Sequence, residues 1–92
     1  MVATLQPNMF DRKTALITGA ASGIGRGLAV HAAGLGMNVV LMDLNAEGLA
    51  ETQALIADSP SLVLKCDVSN LAEFTQCKEK IDAHFGMVHF LF

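Results

Sequence analysis

Ninety-two residues leave room for one small domain, since domains usually run to about 100–150 residues. Hydrophobic residues make up 52% of the chain and charged residues 16%, against roughly 25% charged in ordinary soluble domains, so the chain is not disordered by composition, is apolar for its size and reads as a piece of something larger. A net charge of -3 excludes the basic surface that a nucleic-acid groove or an anionic membrane requires.

Residues 1–12 read as a lead-in, loose at its start, and residues 13–92 as one partial domain. Met1 to Gln6 has neither a basic residue nor an apolar core, so no secretory signal is expected. Four short apolar runs follow: Lys13 to Thr18, Asn38 to Asp43, Ser61 to Cys66 and Met87 to Phe92. Each is apolar on both faces, as in a parallel sheet covered by helices on both sides. Helix-length segments lie between them. Gly23 to Leu35 carries Ile24, Leu28, Ala32 and Leu35 at helical spacing, with Gly34 and Gly36 as a stop. Ala46 to Ala57 has Asn45 as N-cap, Leu49 and Ile56 a heptad apart with Leu55 beside them, and Pro60 after its end. Asn70 to Phe85 carries the stripe Leu71, Phe74, Cys77, Ile81, Phe85, with Ser69 or Asn70 as cap and Gly86 as stop.

The expected fold is therefore β-α-β-α-β-α-β: an α/β, Rossmann-type doubly wound parallel sheet, truncated, with strand order 3-2-1-4. The last strand pairs on one side only, which leaves an open edge and predicts marginal stability or self-association. The longest stretch free of Asp, Glu, Lys and Arg, Leu28 to Met42, is 15 residues, short of the roughly 20 that span a bilayer, so the chain reads as cytoplasmic, without a membrane partner. Cys66 and Cys77 match no metal-ligand spacing and read as small buried apolar side chains. His31, His84 and His89 stand apart, and no metal site is expected.

After the first strand comes Thr18-Gly19-Ala20-Ala21-Ser22-Gly23-Ile24-Gly25. Strict G-x-G-x-x-G is not met, because Leu28 stands where its third glycine belongs, but the G-x-x-x-G-x-G spacing does the same work. Gly19 gives a tight exit from the strand, Gly23 lets backbone approach a pyrophosphate, and Gly25 lets the helix lie close to the strand. The helix start offers free N–H groups to phosphate, and Ser22 adds a hydroxyl. Asp43 ends the second strand, 20 residues past Gly23, where a carboxylate accepts the ribose hydroxyls of an adenosine; the plainer reading is a cap on the following turn. A 2′-phosphate would meet Asp43 head on, and neither Leu44-Asn45 nor Ser22 supplies a base, so NAD is favoured over NADP. Arg26 either reaches a cofactor phosphate or is a solvated surface residue, and the surface reading is favoured because a cation opposes the dipole of the first turn.

These residues, with Cys66-Asp67-Val68 after the third strand, resemble the short-chain dehydrogenase/reductase family over about residues 10–92. The resemblance implies an NAD(P)-binding domain in which Gly19, Ser22, Gly23, Ile24 and Gly25 surround the pyrophosphate and Asp43 holds the adenine ribose. It also implies that Asp67 bonds the adenine amino group and Val68 lines the adenine pocket. Read without the family, Asp67 is an acid at a helix start, near the Ser69 cap. The family's N-N-A-G motif would begin after Phe92, and its catalytic Asn, Ser and Tyr-x-x-x-Lys later still. No catalytic residue is assigned, and the chain has no Tyr at all. The expected activity is hydride transfer between a secondary alcohol or ketone and nicotinamide in a longer parent, itself a homo-oligomer, with these 92 residues inactive alone. A non-enzymatic nucleotide- or partner-binding fragment is the alternative. An S-adenosylmethionine methyltransferase ranks third, because such enzymes usually carry an acid where this chain has Thr18.

Overall fold

The computed structural model describes residues 11–92, so all but the end of the expected lead-in lies outside the described residues. The four apolar runs form β1 (Thr14–Thr18), β2 (Asn38–Asp43), β3 (Ser61–Lys65) and β4 (Phe90–Leu91). Between them lie α1 (Gly23–Gly34), α2 (Ala46–Leu55) and α3 (Leu71–Phe85). All strands are parallel, in the expected order β3-β2-β1-β4. Alternation along the strands divides the core between two faces. Ala15, Ile17, Val39 and Leu41 meet α1 and α2 through Ala29, Ala32, Leu49 and Ile56. Leu16, Val40, Met42 and Leu64 meet α3 through Cys77 and Ile81.

The helix ends follow local chemistry. Gly36 takes φ 82, with Gly36 N–H bonded to the Ala33 carbonyl at 3.0 Å and Met37 N–H to that of Ala32 at 3.2 Å. That is the Schellman arrangement, and it turns the chain into β2. Asn45 caps α2 by accepting the Gly48 N–H at 3.0 Å, and Asn70 rather than Ser69 caps α3 by accepting that of Glu73 at 3.1 Å.

Several boundaries and one helix phase differ from the sequence expectation. The ladder bonds reach one residue past three assigned strands: Lys13 accepts from Asn38, Pro60 accepts from Val39 and Cys66 donates to Asp43, and Phe92 donates to Leu16 and accepts from Thr18. The assigned β4 holds two residues of the expected Met87 to Phe92, although main-chain bonds to β1 run from His89 to Phe92. At its start the Thr14 N–H bonds the His89 Nδ1 at 3.0 Å, a side chain standing where a strand carbonyl would otherwise accept. Leu35 and Asn70 are caps rather than helical residues, and α2 stops two residues before Ala57. Leu55 and Leu71 point to solvent, whereas Ile56 and the rest of the α3 stripe turn inward. The stripe in α1 is out of phase: Ile24 is 85% exposed, and the buried face is Gly25, Ala29 and Ala32. Close approach of α1 to β1 admits only the smallest side chains.

Candidate functional site

The carboxyl ends of β1, β2 and β3 open onto a cleft of about 190 Å³ lined by Gly19, Met42, Asp43, Leu44, Cys66, Asp67 and Val68. Four of the eight expected site residues, from three separate segments, thus meet in one cavity. The other four, Ser22, Gly23, Ile24 and Gly25, form the adjoining start of α1.

Gly19 and Gly23 take φ 65 and 61, a backbone region that side chains strongly disfavour. Gly25 is required for a different reason. A Cβ on it would collide with the Gly19 carbonyl, so its absence lets α1 rest on the exit from β1. No atom lies within 4 Å of where a Cβ on Gly23 would stand, so the backbone there is open to a ligand. The Ser22 side chain makes no capping bond, and the first turn holds no acid. The first N–H groups of α1 therefore stand free at the positive end of its dipole, an arrangement suited to phosphate oxygens. Ile24 projects beside them without cover from the described residues.

Asp43 is both a turn cap and a clamp on the loop. Its Oδ1 accepts the Asn45 N–H at 3.1 Å and its Oδ2 the Ala21 N–H at 3.0 Å. The carboxylate keeps acceptor capacity beyond these bonds, so a hydroxyl can still be received. Burial pushes the carboxyl up, but hydrogen bonds from the N–H groups of Ala21, Asn45 and Leu44 outweigh it and hold the group below the usual carboxylate range. Asp67 accepts the Ser69 hydroxyl at 2.6 Å and the Ser69 N–H at 2.9 Å, which keep it ionised below the usual range. Its own N–H is held by Glu73 Oε1 at 2.9 Å. The cleft is thus an anionic rim over an apolar floor, next to a mouth of N–H donors. The chemistry fits a ligand with hydroxyls and a flat base at one end and phosphate in the middle.

Arg26 does not have the solvated surface role expected of it. Its guanidinium donates to the carbonyls of Ala21 and Gly48, its Nε donates to Thr52 Oγ1 at 2.9 Å, and its side chain is 29% exposed. Neither Arg26 nor Lys65, opposite Asp43 in the sheet, lines the cleft. Gly48 and Thr52 escaped the sequence reading. A Cβ on Gly48 would stand 2.7 Å from both the Cβ and the carbonyl oxygen of Ala21, so α2 touches the loop directly. The available signal was a glycine inside a helix, which costs about 1 kcal/mol against Ala and so suggests a packing reason.

Among the described residues no cluster of His, Cys, Asp and Glu could hold a metal ion, and no helix is long and apolar enough to cross a membrane.

The sequence profile of the short chain dehydrogenase family matches residues 13–92. Short-chain dehydrogenase/reductase family 16C member 6 of Bos taurus is 40% identical over 79 residues, covering 83% of this chain and 25% of the relative. A short-chain dehydrogenase/reductase from Burkholderia phymatum, solved in complex with NAD, superposes with a TM-score of 0.87 at 41% identity, covering 90% of this chain and 30% of that one. The citronellol catabolism dehydrogenase of Pseudomonas aeruginosa PAO1 gives a TM-score of 0.88 at 32% identity, covering 99% and 39%. The chain therefore spans a quarter to two fifths of the length of these relatives. With the family profile matched from the first strand to Phe92, and the glycine turn, Asp43 and Asp67 gathered at the sheet's carboxyl edge, this chain belongs to the short-chain dehydrogenase family.

Proposed function

We propose that this chain is the dinucleotide-binding part of an NAD-dependent oxidoreductase acting on a secondary alcohol or ketone. The observation that carries the reading is the single cleft uniting Gly19, Asp43, Asp67 and Val68 beside the open start of α1. The Burkholderia relative's complex with NAD supports a nicotinamide cofactor. When bound, that cofactor supplies the hydride acceptor or donor. The chain's own residues bind and orient. The N–H groups of Ser22, Gly23 and Ile24 receive the pyrophosphate, Gly25 seats the helix that presents them, and Ile24 covers one side. Asp43 takes the adenine ribose hydroxyls, Asp67 the adenine amino group, and Val68 the flat face of the base. Ionised Asp43, with no cation lining the cleft, repels a 2′-phosphate and favours NAD over NADP. Because the 92 residues include no Tyr, they lack the family's proton donor, and general acid–base catalysis typically supplies about 10²–10⁴-fold.

Calorimetric titration of the 92-residue chain and of Asp43→Ala with NAD and NADP tests this. Wild type should bind NAD more tightly, and Asp43→Ala should weaken NAD about 10- to 100-fold. Tighter binding of NADP by wild type would refute the assignment of Asp43. NADH formation from secondary alcohols by the 92 residues alone would refute the claim that they only bind.

A further inference from the structure

Two side chains that do not line the cleft hold the loop in shape. Thr52 of α2 is fully buried, and its hydroxyl donates to the Ala20 carbonyl at 2.7 Å while accepting from Arg26 Nε at 2.9 Å. The Arg26 guanidinium donates to the next carbonyl, that of Ala21, and to that of Gly48 at 3.2 Å. Gly48 clears the space for this contact. Glu51 reaches the same guanidinium only at 3.9 Å from an exposed position and contributes little.

The peptide bonds here are trans, so each carbonyl and the following N–H point to opposite sides. Pinning the Ala20 carbonyl to Thr52 turns the Ala21 N–H away from α2, where Asp43 Oδ2 receives it at 3.0 Å. Pinning the Ala21 carbonyl to Arg26 turns the Ser22 N–H away from α2 as well, towards the open start of α1, where no described residue accepts it. We propose that Arg26 and Thr52 are positioning residues for dinucleotide binding: they set the Ala20 and Ala21 peptide planes so that the Ser22 N–H joins the free N–H groups of α1 in facing phosphate. The proposal rests on the cofactor reading above. It explains why a cation sits in the first turn of α1 against the dipole: its charge is spent on loop carbonyls instead of on the ligand.

The test compares the 92-residue wild type with Thr52→Val, Thr52→Ser and Arg26→Met. NADH affinity is read by calorimetry, and amide exchange by NMR at Ala21 and, as reference, at Leu41 in β2. Thr52→Val and Arg26→Met should each weaken NADH about tenfold and speed Ala21 exchange by a similar factor. Leu41 exchange should not change, and Thr52→Ser, which keeps the hydroxyl, should keep both wild-type values. Wild-type affinity and wild-type Ala21 exchange in Thr52→Val would overturn the proposal. So would Thr52→Ser failing like Thr52→Val, or Ala21 and Leu41 accelerating together, since either would mark a general loss of stability. A wild-type chain that does not bind NADH overturns the cofactor reading itself, and Ala21 exchange then still decides whether the two side chains hold the loop.

Discussion

β2 is paired at five positions with β1 and at five with β3, whereas β4 meets β1 at two. β2 is covered on one face by α1 and α2 and on the other by α3, and Val39, Val40, Leu41 and Met42 are all fully buried. β4 has a neighbour on one side among the described residues, and Leu91 is 64% exposed beside buried Leu16. Phe90 and Phe92 stack at 6.5 Å along an apolar groove of about 530 Å³ shared with Leu28, Ala32, Leu35 and Met37. The cleft is built from the well-braced region, at the ends of β1, β2 and β3. The difference teaches that residues can be gathered into a cleft where the sheet is doubly covered while the neighbouring edge of the same sheet is thinly paired among the described residues.

Core truncation tests the contrast most strongly. Leu41→Ala removes a fully buried side chain between α1, α2 and the sheet, and should cost about 2–5 kcal/mol, comparable with the whole stability of a small domain. Leu91→Ala should stay within about 0.5 kcal/mol, as for other exposed positions. Urea unfolding followed by circular dichroism measures both. Similar losses at the two positions would erase the distinction between the regions.

A second pair of variants separates two kinds of glycine within the braced region. Gly25→Ala drives a methyl group into the Gly19 carbonyl and should destabilise by about 1–3 kcal/mol. Gly23→Ala meets open space, so only its left-handed backbone penalises it, by about 1–2 kcal/mol. The stability difference should be the smaller effect of Gly23→Ala, and its loss of NADH affinity the larger. Valine at Gly23 is a poorer probe, because a branched side chain at φ 61 is strained whatever the ligand does.

Acid titration sharpens the role of Asp43. Its carboxyl is lowered by the N–H groups of Ala21, Asn45 and Leu44 against the opposing effect of burial. A group whose folded value lies below its unfolded value, about 3.9 for Asp, contributes stability above that value and loses it as pH falls through the folded one. Wild type should therefore lose stability below about pH 4, and Asp43→Asn should lose less over the same interval. Identical acid slopes for the two proteins in urea midpoints would show that the clamp on Ala21 carries no net energy.

Much of this was legible in the residues. Four two-faced apolar runs separated by helical periods point to a doubly wound parallel sheet, the Rossmann-type expectation supplies its strand order, and the spacing of Gly19, Gly23, Gly25 and Asp43 places them at one edge. The phase of α1 was not legible, because periodicity counts large apolar residues and the closest helix–strand contact is made of the smallest. Ile24 looked like core for that reason and is open to solvent instead. Arg26 was misread because two of its partners are backbone carbonyls, which every sequence has, and the third is the hydroxyl of Thr52, 26 residues away, which no motif marks. β4 starts later than expected because apolar content says nothing about which ladder positions a side chain such as His89 takes over, while its main-chain bonds do run to Phe92.

The smallest effect concerns where α3 belongs in the comparison. Cys66 and Cys77 are both buried, and burial, followed by the hydrogen bond with Cys77, pushes the Cys66 thiol up to about 11. At pH 8 such a thiol is about a thousandth ionised, against roughly a quarter for a free cysteine near 8.5, and only the thiolate is nucleophilic. Native Cys66 should therefore resist iodoacetamide until the structure opens. Cys66 and Cys77 share one cluster with Val40 and Met42 of β2, so labelling should track global unfolding and follow the exchange of the β2 amides. That outcome assigns α3 to the braced region although, among the described residues, no second helix covers its face of the sheet. Labelling that runs ahead of β2 exchange would mean that α3 lifts separately, and the boundary between braced and thinly paired regions would then pass through the floor of the cleft, where Cys66 lies beside Asp67.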